Sequence, residues 1–207
     1  MTDALLHITL NDANETRLAF VQGEDRRVPI TIHDGRTGRP VDLTGSILAV
    51  TMPAALGGPV RRSTGAIPVS TLARTGAEFT VAGHGLVTGD IVRVAANAGA
   101  TLPGGLAPMT DYTVRKVGRD TLVLQQAGAD VVPSSSGSGG FGITLSGGLE
   151  VDDPTFGHAV LILRSWVTAA AHARDGQDIE VSITGGDGLV RMAVLRSALD
   201  VLARPYP

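Results

Sequence analysis

Hydrophobic and polar positions alternate in residues 28–34, VPITIHD: Val28, Ile30 and Ile32 fall on one side, Thr31 and His33 on the other. A period of two marks a half-buried strand. TRLAFVQ at 16–22 is a short apolar segment closed by the turn GEDRR. After the VPITIHD strand, GRTGRP and VDLTG supply turns that lead into a second strand, SILAVTMPA at 46–54, and GGPV then opens a loop. From about residue 74 the rhythm changes. FTVA, DIVRVAA, DYTVRKV and DTLVLQQ follow one another with glycine- or proline-bearing turns between them, at the spacing of about 10 to 12 residues expected of a small barrel or sandwich. PSSSGSGGFG at 133–142 has no apolar face and predicts a flexible linker. Beyond it, ITLSGGLEV, GHAVLILRS and QDIEVSITGG are strand-like, and GGDG at 185–188 has the composition of a hairpin turn. RSWVTAAAHARD at 164–175 places Trp166, Ala169, Ala170 and Ala173 at helical spacing, which predicts one short helix. The closing RMAVLRSALDVLA fits either a bulged strand or a last helix, and the hairpin turn before it favours the strand.

Composition turns this pattern into a fold class. Hydrophobic residues make up 43% of the 207 residues and aromatics only 3%, so the core must be built from Val, Leu, Ile and Ala. Together with 27 glycines and 11 prolines this reads as all-β. The net charge of −3 comes from interspersed acidic and basic residues. No clustered Lys/Arg face suggests a nucleic-acid partner. The chain has no cysteine, which excludes disulfides, thiolate zinc sites and cysteine nucleophiles. No apolar run approaches the roughly 18 residues that span a bilayer. MTDALLHITLNDANE does not read as a signal peptide, because it lacks a basic start and His7 and Thr9 interrupt its apolar run.

Candidate chemistry is sparse. FTVAGHGLVTGDIVRV at 79–94 sets His84 between Gly83 and Gly85, either as a reactive group on a glycine-rich loop or as a residue of a tight turn. Glycines that adopt positive φ favour the turn, with the imidazole bonding to backbone groups. His7, His33, His84, His158 and His172 are isolated in sequence, and neither HExxH nor HxH occurs. SGSGG lacks the strand–turn–helix frame of a nucleophile elbow. Glu150, Asp152 and Asp153 could bind calcium or act on glycosides. A solvated loop ended by Pro154 is the plainer reading. LPGGLAP is a turn, and no GxxxxGK[ST] phosphate loop exists. Trp166 is the only tryptophan, a thin basis for a glycan-stacking platform. The expectation is a non-enzyme with no catalytic, cofactor-binding or metal residues and no cofactor.

Two segments resemble known proteins. FVQGEDRRVPITIHDGRTGRPVDLTGSILAVTM, residues 20–52, resembles the N-terminal immunoglobulin-like domain of phage upper-baseplate proteins. The likeness rests on Gln22, Gly23, Glu24, Asp25, Asp34, Gly38 and the run from Pro40 to Gly45. GHAVLILRSWVTAAA and DIEVSITGGDGLVRM fit that family's closing half loosely. The stretch from 79 to about 127 is similar to a small β module of phage tail and fibre proteins. It matches at His84-Gly85-Leu86, Gly89-Asp90, Leu102-Pro103, Gly105-Leu106, Tyr112, Val114 and Thr121-Leu122.

The resemblance implies an immunoglobulin-like β-sandwich, residues 1–72 plus 143–207, with a small β-barrel-like module inserted at 73–142 and at most one or two short helices. It implies a structural component of a tailed-phage virion, in the tail tip, baseplate or fibre attachment, assembled in the host cytoplasm. A head decoration or head-fibre protein, and a glycan- or receptor-binding module, remain open. Partners would be other virion proteins and further copies of the chain, with a trimer preferred over a hexamer, and neither nucleic acid nor membrane. The apolar ends, LLHITL and the segment carrying Met192, Val194, Leu195, Leu199, Val201 and Leu202, are expected either to meet neighbouring subunits or to pack back onto the sandwich.

Overall fold

A computed structural model describes residues 6–10, 18–53, 59–69, 71–72, 76–170 and 177–202. In chain order the strands are β1 (Leu6–Leu10), β2 (Leu18–Val21), β3 (Arg26–Asp34), β4 (Ile47–Met52), β5 (Val60–Ser63), β6 (Ile67–Pro68), β7 (Thr71–Leu72), β8 (Glu78–Thr80) and β9 (Ile91–Ala96). They continue with β10 (Tyr112–Lys116), β11 (Thr121–Gln126), β12 (Ala129–Asp130), β13 (Phe141–Leu145), β14 (Leu149–Asp153), β15 (His158–Leu163), β16 (Gln177–Thr184) and β17 (Val190–Leu202). A single 3-10 turn covers Pro154–Phe156, and the short helix α1 covers Ser165–Ala170. The protein is all-β.

The chain divides into two compact units, residues 1–64 with 148–207, and residues 65–147. The first is a sandwich of a four-stranded sheet, β1-β3-β15-β14, and a five-stranded sheet, β2-β17-β16-β4-β5. Strand for strand these are the ABED and GFCC′ sheets of an immunoglobulin fold, with β2 added parallel to the last strand. Period-two patterning builds the core: Val28, Ile30 and Ile32 on β3 are at most 3% exposed, as are Leu48 and Val50 on β4 and Ile179, Val181 and Ile183 on β16. The turns joining β3 to β4 are held by carboxylates. Asp34 accepts from the amides of Arg36 and Thr37, and Asp42 from that of Thr44. The Thr37 and Arg36 amides hold Asp34 below the ordinary carboxylate range, and the Thr44 hydroxyl and amide do the same for Asp42.

The second unit is one curled sheet, β6-β13-β9-β10-β11-β8-β7, with β12 attached to β11. Its two end strands, β6 and β7, are separated in sequence only by residues 69 and 70. The core is Phe79, Val81, Leu86, Val92, Val94, Tyr112, Val114, Leu122, Leu124, Phe141 and Ile143 with their neighbours.

Several expectations are corrected. The Ser/Gly run 133–142 is not a linker but part of the barrel unit. Ser134 N donates to Gly104 O, Gly104 N to Ser135 Oγ, and Thr101 and Ser138 bond through both backbone and side chains. Its glycines serve close packing: a Cβ on Gly137 would strike the Thr101 carbonyl oxygen. The unit boundaries fall at 64/65 and 147/148 rather than 72/73 and 142/143, because β6 pairs with β13 and carries residues 67–68 and 141–145 into the barrel. ITLSGGLEV is therefore two strands, β13 in one unit and β14 in the other. GLEVDDP is an edge strand, not a loop. The apolar ends do not depend on neighbouring subunits for their strand partners. Instead, β1 pairs with β3 and buries Ile8, and β17 lies between β16 and β2. β17 does carry an irregularity, where Gln177–Ile179 faces Leu199–Leu195. The helix reaches Ala170 and buries Val167 and Thr168, whereas Trp166 and Ala169 are exposed; Ala173 lies outside the described residues.

Candidate functional site

His84 lies within the barrel unit, not on an exposed tip. Gly83 and Gly85 take φ of 56° and 61°, values that a side chain would strain, and swing the intervening residue inward. The imidazole is fully buried, and its Nδ1 accepts from Leu86 N at 3.0 Å, which assigns the proton to Nε2. Gly83 N donates to Asp120 Oδ1 at 2.7 Å, and Val87 N donates to the buried Asp90 Oδ2 at 2.8 Å. Asp90 also ties down β10 through Val114 N, and Thr88 Oγ1 accepts from Lys116 N. Leu86 and Val87, delivered by these bonds, are buried. In the segment 81–90, His84 and Asp90 thus replace backbone partners that an irregular chain cannot find for itself.

Burial lowers the His84 pKa below the usual value of about 6.5, and the Lys116 charge adds to this. The Gly118 backbone and the Asp120 and Asp90 carboxylates oppose it in part. The unfolded chain therefore binds the extra proton more readily, and the barrel loses stability as pH falls below about 6.5, while above that value this contribution is fully present. His84→Ala is expected to cost about 2–4 kcal/mol through lost volume and an orphaned Leu86 amide. His84→Asn should cost roughly half, because an Asn side chain bonds the amide two residues on in the same way. Thermal unfolding of both variants at pH 7.5 and 5.5 checks this, and both should lose the acid sensitivity.

The remaining candidates scatter. Glu150 sits on β14 at 3.9 Å from Arg27, and Asp153 accepts from Thr155 Oγ1 on the adjoining 3-10 turn. Both are occupied with local pairing. Gly105 and Leu106 lie in a loop pinned by Ala107 N donating to the phenol oxygen of the buried Tyr112. Trp166 is 38% exposed on α1. An open groove of about 580 Å³ runs along the sandwich between the turn Leu43–Ile47 and the edge strand residues Leu149–Val151, with Thr44, Ser46, Thr64 and Glu150 as its polar lining. His33 and His158 lie on the outer face of the four-stranded sheet, and His158 is beside Phe156, with ring centroids 6.4 Å apart. His172 lies outside the described residues. Among the described residues no three His, Cys, Asp or Glu converge to hold a metal ion, and no helix is long and apolar enough to cross a membrane.

No known family model matches the chain, and no curated protein matches it. The reading of His84 as a turn residue whose imidazole bonds to backbone groups holds at Leu86 N, whereas its full burial and the buried role of Asp90 escaped sequence reading. Only the flanking glycines hinted at them.

Proposed function

We propose that this chain is a structural, non-enzymatic component of a tailed-phage virion, placed in the tail tip, baseplate or fibre attachment. The observation that carries the reading is how the resembling residues are used. Asp34, Asp42 and Gly38 build the turns between two sandwich strands, and His84, Leu86, Asp90 and Tyr112 build a buried turn and the core of the second unit. Residues spent on shape in two β modules suit a part that spaces and joins other chains. The chain stands in repeated copies, in three-fold order by preference. The hairpin end of the five-stranded sheet, where Leu189, Val190 and Met192 are 63%, 58% and 54% exposed, supplies apolar surface for such contacts. Quantitative mass spectrometry of density-purified particles tests the reading: the chain should be present in fixed stoichiometry with the tail proteins. Its absence from particles, or a stoichiometry that follows the head shell after tails are removed, overturns it.

A further inference from the structure

Two strands of the sandwich leave backbone groups open, and their patterns fit each other. β14 ends the four-stranded sheet, with β15 on one side only. Ile162 N donates to Gly148 O, and the register sets Leu149 opposite Leu161 and Glu150 opposite Val160. Ladder bonds alternate along an antiparallel pair, so Glu150 bonds to β15 while the N–H and C=O groups of Leu149 and Val151 point to the open edge. On the other sheet, β2 pairs with β17 at Leu199–Leu202 and leaves its start uncovered. Gly185 N donates to Leu189 O, and Thr184 lies opposite Val190, so the backbone groups of Val190 and Met192 point away from β16 in the same way. Among the described residues, nothing bonds to Leu149, Val151, Val190 or Met192 on that open side. Val190, Arg191 and Met192 are all exposed. The groove of about 580 Å³ borders β14, with Leu43, Ile47, Leu149 and Val151 as its apolar lining.

We propose that the β14 edge of one copy pairs antiparallel with the start of β17 of a second copy, residues 190–192, in a head-to-tail contact. One register meets three demands at once. Met192 of the second copy falls opposite Leu149, and its Val190 opposite Val151, so open backbone groups meet open backbone groups. Directly opposite residues share a face. Leu149 is buried and lines the groove, so Val190 and Met192 of the second copy are carried to the groove and out of water. Arg191 of the second copy then stands opposite the exposed Glu150, whose own ion pair with Arg27 is loose at 3.9 Å. Like-with-like pairing fails on charge: β14 against β14, centred in the same way, sets Glu150 against Glu150, and β17 against β17 sets Arg191 against Arg191. The irregularity between Val151 and Asp153 and the turn that precedes Val190 end the ladder at the same level. β1, at the edge of its sheet away from β14, lies beside β17, so the two halves of the contact sit on opposite sides of the sandwich and the contact repeats from copy to copy. A contact of three residues a side is small, which suits a ring closed by repetition better than a free pair. The contact supplies the surface for the repeated copies proposed above and rests on that part of the reading, not on the place in the particle.

The chain has no cysteine, so engineered pairs report the register without background. In the untagged full chain, Glu150→Cys with Arg191→Cys should oxidise to a ladder of disulfide-linked dimers, trimers and higher species, because opposite residues of this kind hold their Cα atoms about 4.5 Å apart, within disulfide reach. Glu150→Cys with Asp187→Cys, at the hairpin tip, is the control and should give no such ladder. In sedimentation of the cysteine-free chain, Glu150→Arg and Arg191→Glu should each weaken self-association roughly tenfold or more, and the double exchange should restore it to within about threefold of wild type. All four positions are exposed, so these variants should melt as the wild type does. A control ladder equal to that of the test pair, a test pair that closes only within one chain, or a double exchange no better than the single variants overturns the contact. A chain that cross-links in this register but is absent from particles keeps the contact and loses the virion reading. A chain present in particles that forms no ladder loses the contact alone.

Discussion

Phe79→Ala should unfold the barrel and leave the sandwich standing. Phe79 is fully buried and meets Phe141 edge-on, with ring centroids 6.1 Å apart and an interplanar angle of 85°. Truncating such a ring costs about 3–5 kcal/mol. A small domain holds only some 5–15 kcal/mol in total, and a unit of this size stands at the low end. Among the described residues, the cluster that Phe79 belongs to draws its buried members from positions 67–143. Amide exchange should therefore rise across β8 to β13 while protection of β3, β4, β15 and β16 stays near wild type. Equal loss of protection in both units would mean one cooperative core and would refute this division.

The converse experiment removes the barrel. Excising residues 65–147 and joining Thr64 to Gly148 with a short Gly/Ser bridge should leave a folded sandwich. β5 closes the GFCC′ sheet just before the cut, and β14 opens the partner edge just after it. Lengthening a loop costs only about 0.6 kcal/mol per doubling, so the sandwich should keep its stability within about 2 kcal/mol. Circular dichroism and a cooperative melt check this, and a molten or insoluble product would contradict it.

What could be read from the sequence follows from period and turn chemistry. Strands with clean alternation, such as β3 and β16, and turns built on Asp34 or the GGDG run, announce themselves locally. So did the inserted module, because its strand rhythm differs from that of the flanks. The exact seam did not, since β6 is two residues long and gains its identity only by pairing with β13. The Ser/Gly run misled because flexible composition and close backbone packing both call for small residues; contacts with residues 97–104 decide between them. The role of the chain ends was equally invisible. Apolar strands at termini look unsatisfied until their partners, β3 for β1 and β16 with β2 for β17, are known. His84 and Asp90 stood in the motif, yet their burial depends on the ends of β10 and on Asp120, far along the chain. Which backbone groups of β14 and β17 face an open edge depends on register alone, which no local pattern encodes.

The structural role in a virion is tested most directly by a symmetry-averaged electron cryomicroscopy reconstruction of the intact particle, at a resolution that traces strands. The account predicts density for the immunoglobulin-like sandwich and the second β unit, repeated around the tail axis and touching other chains. Particles whose tail, baseplate and fibre density is fully explained by other proteins would contradict it.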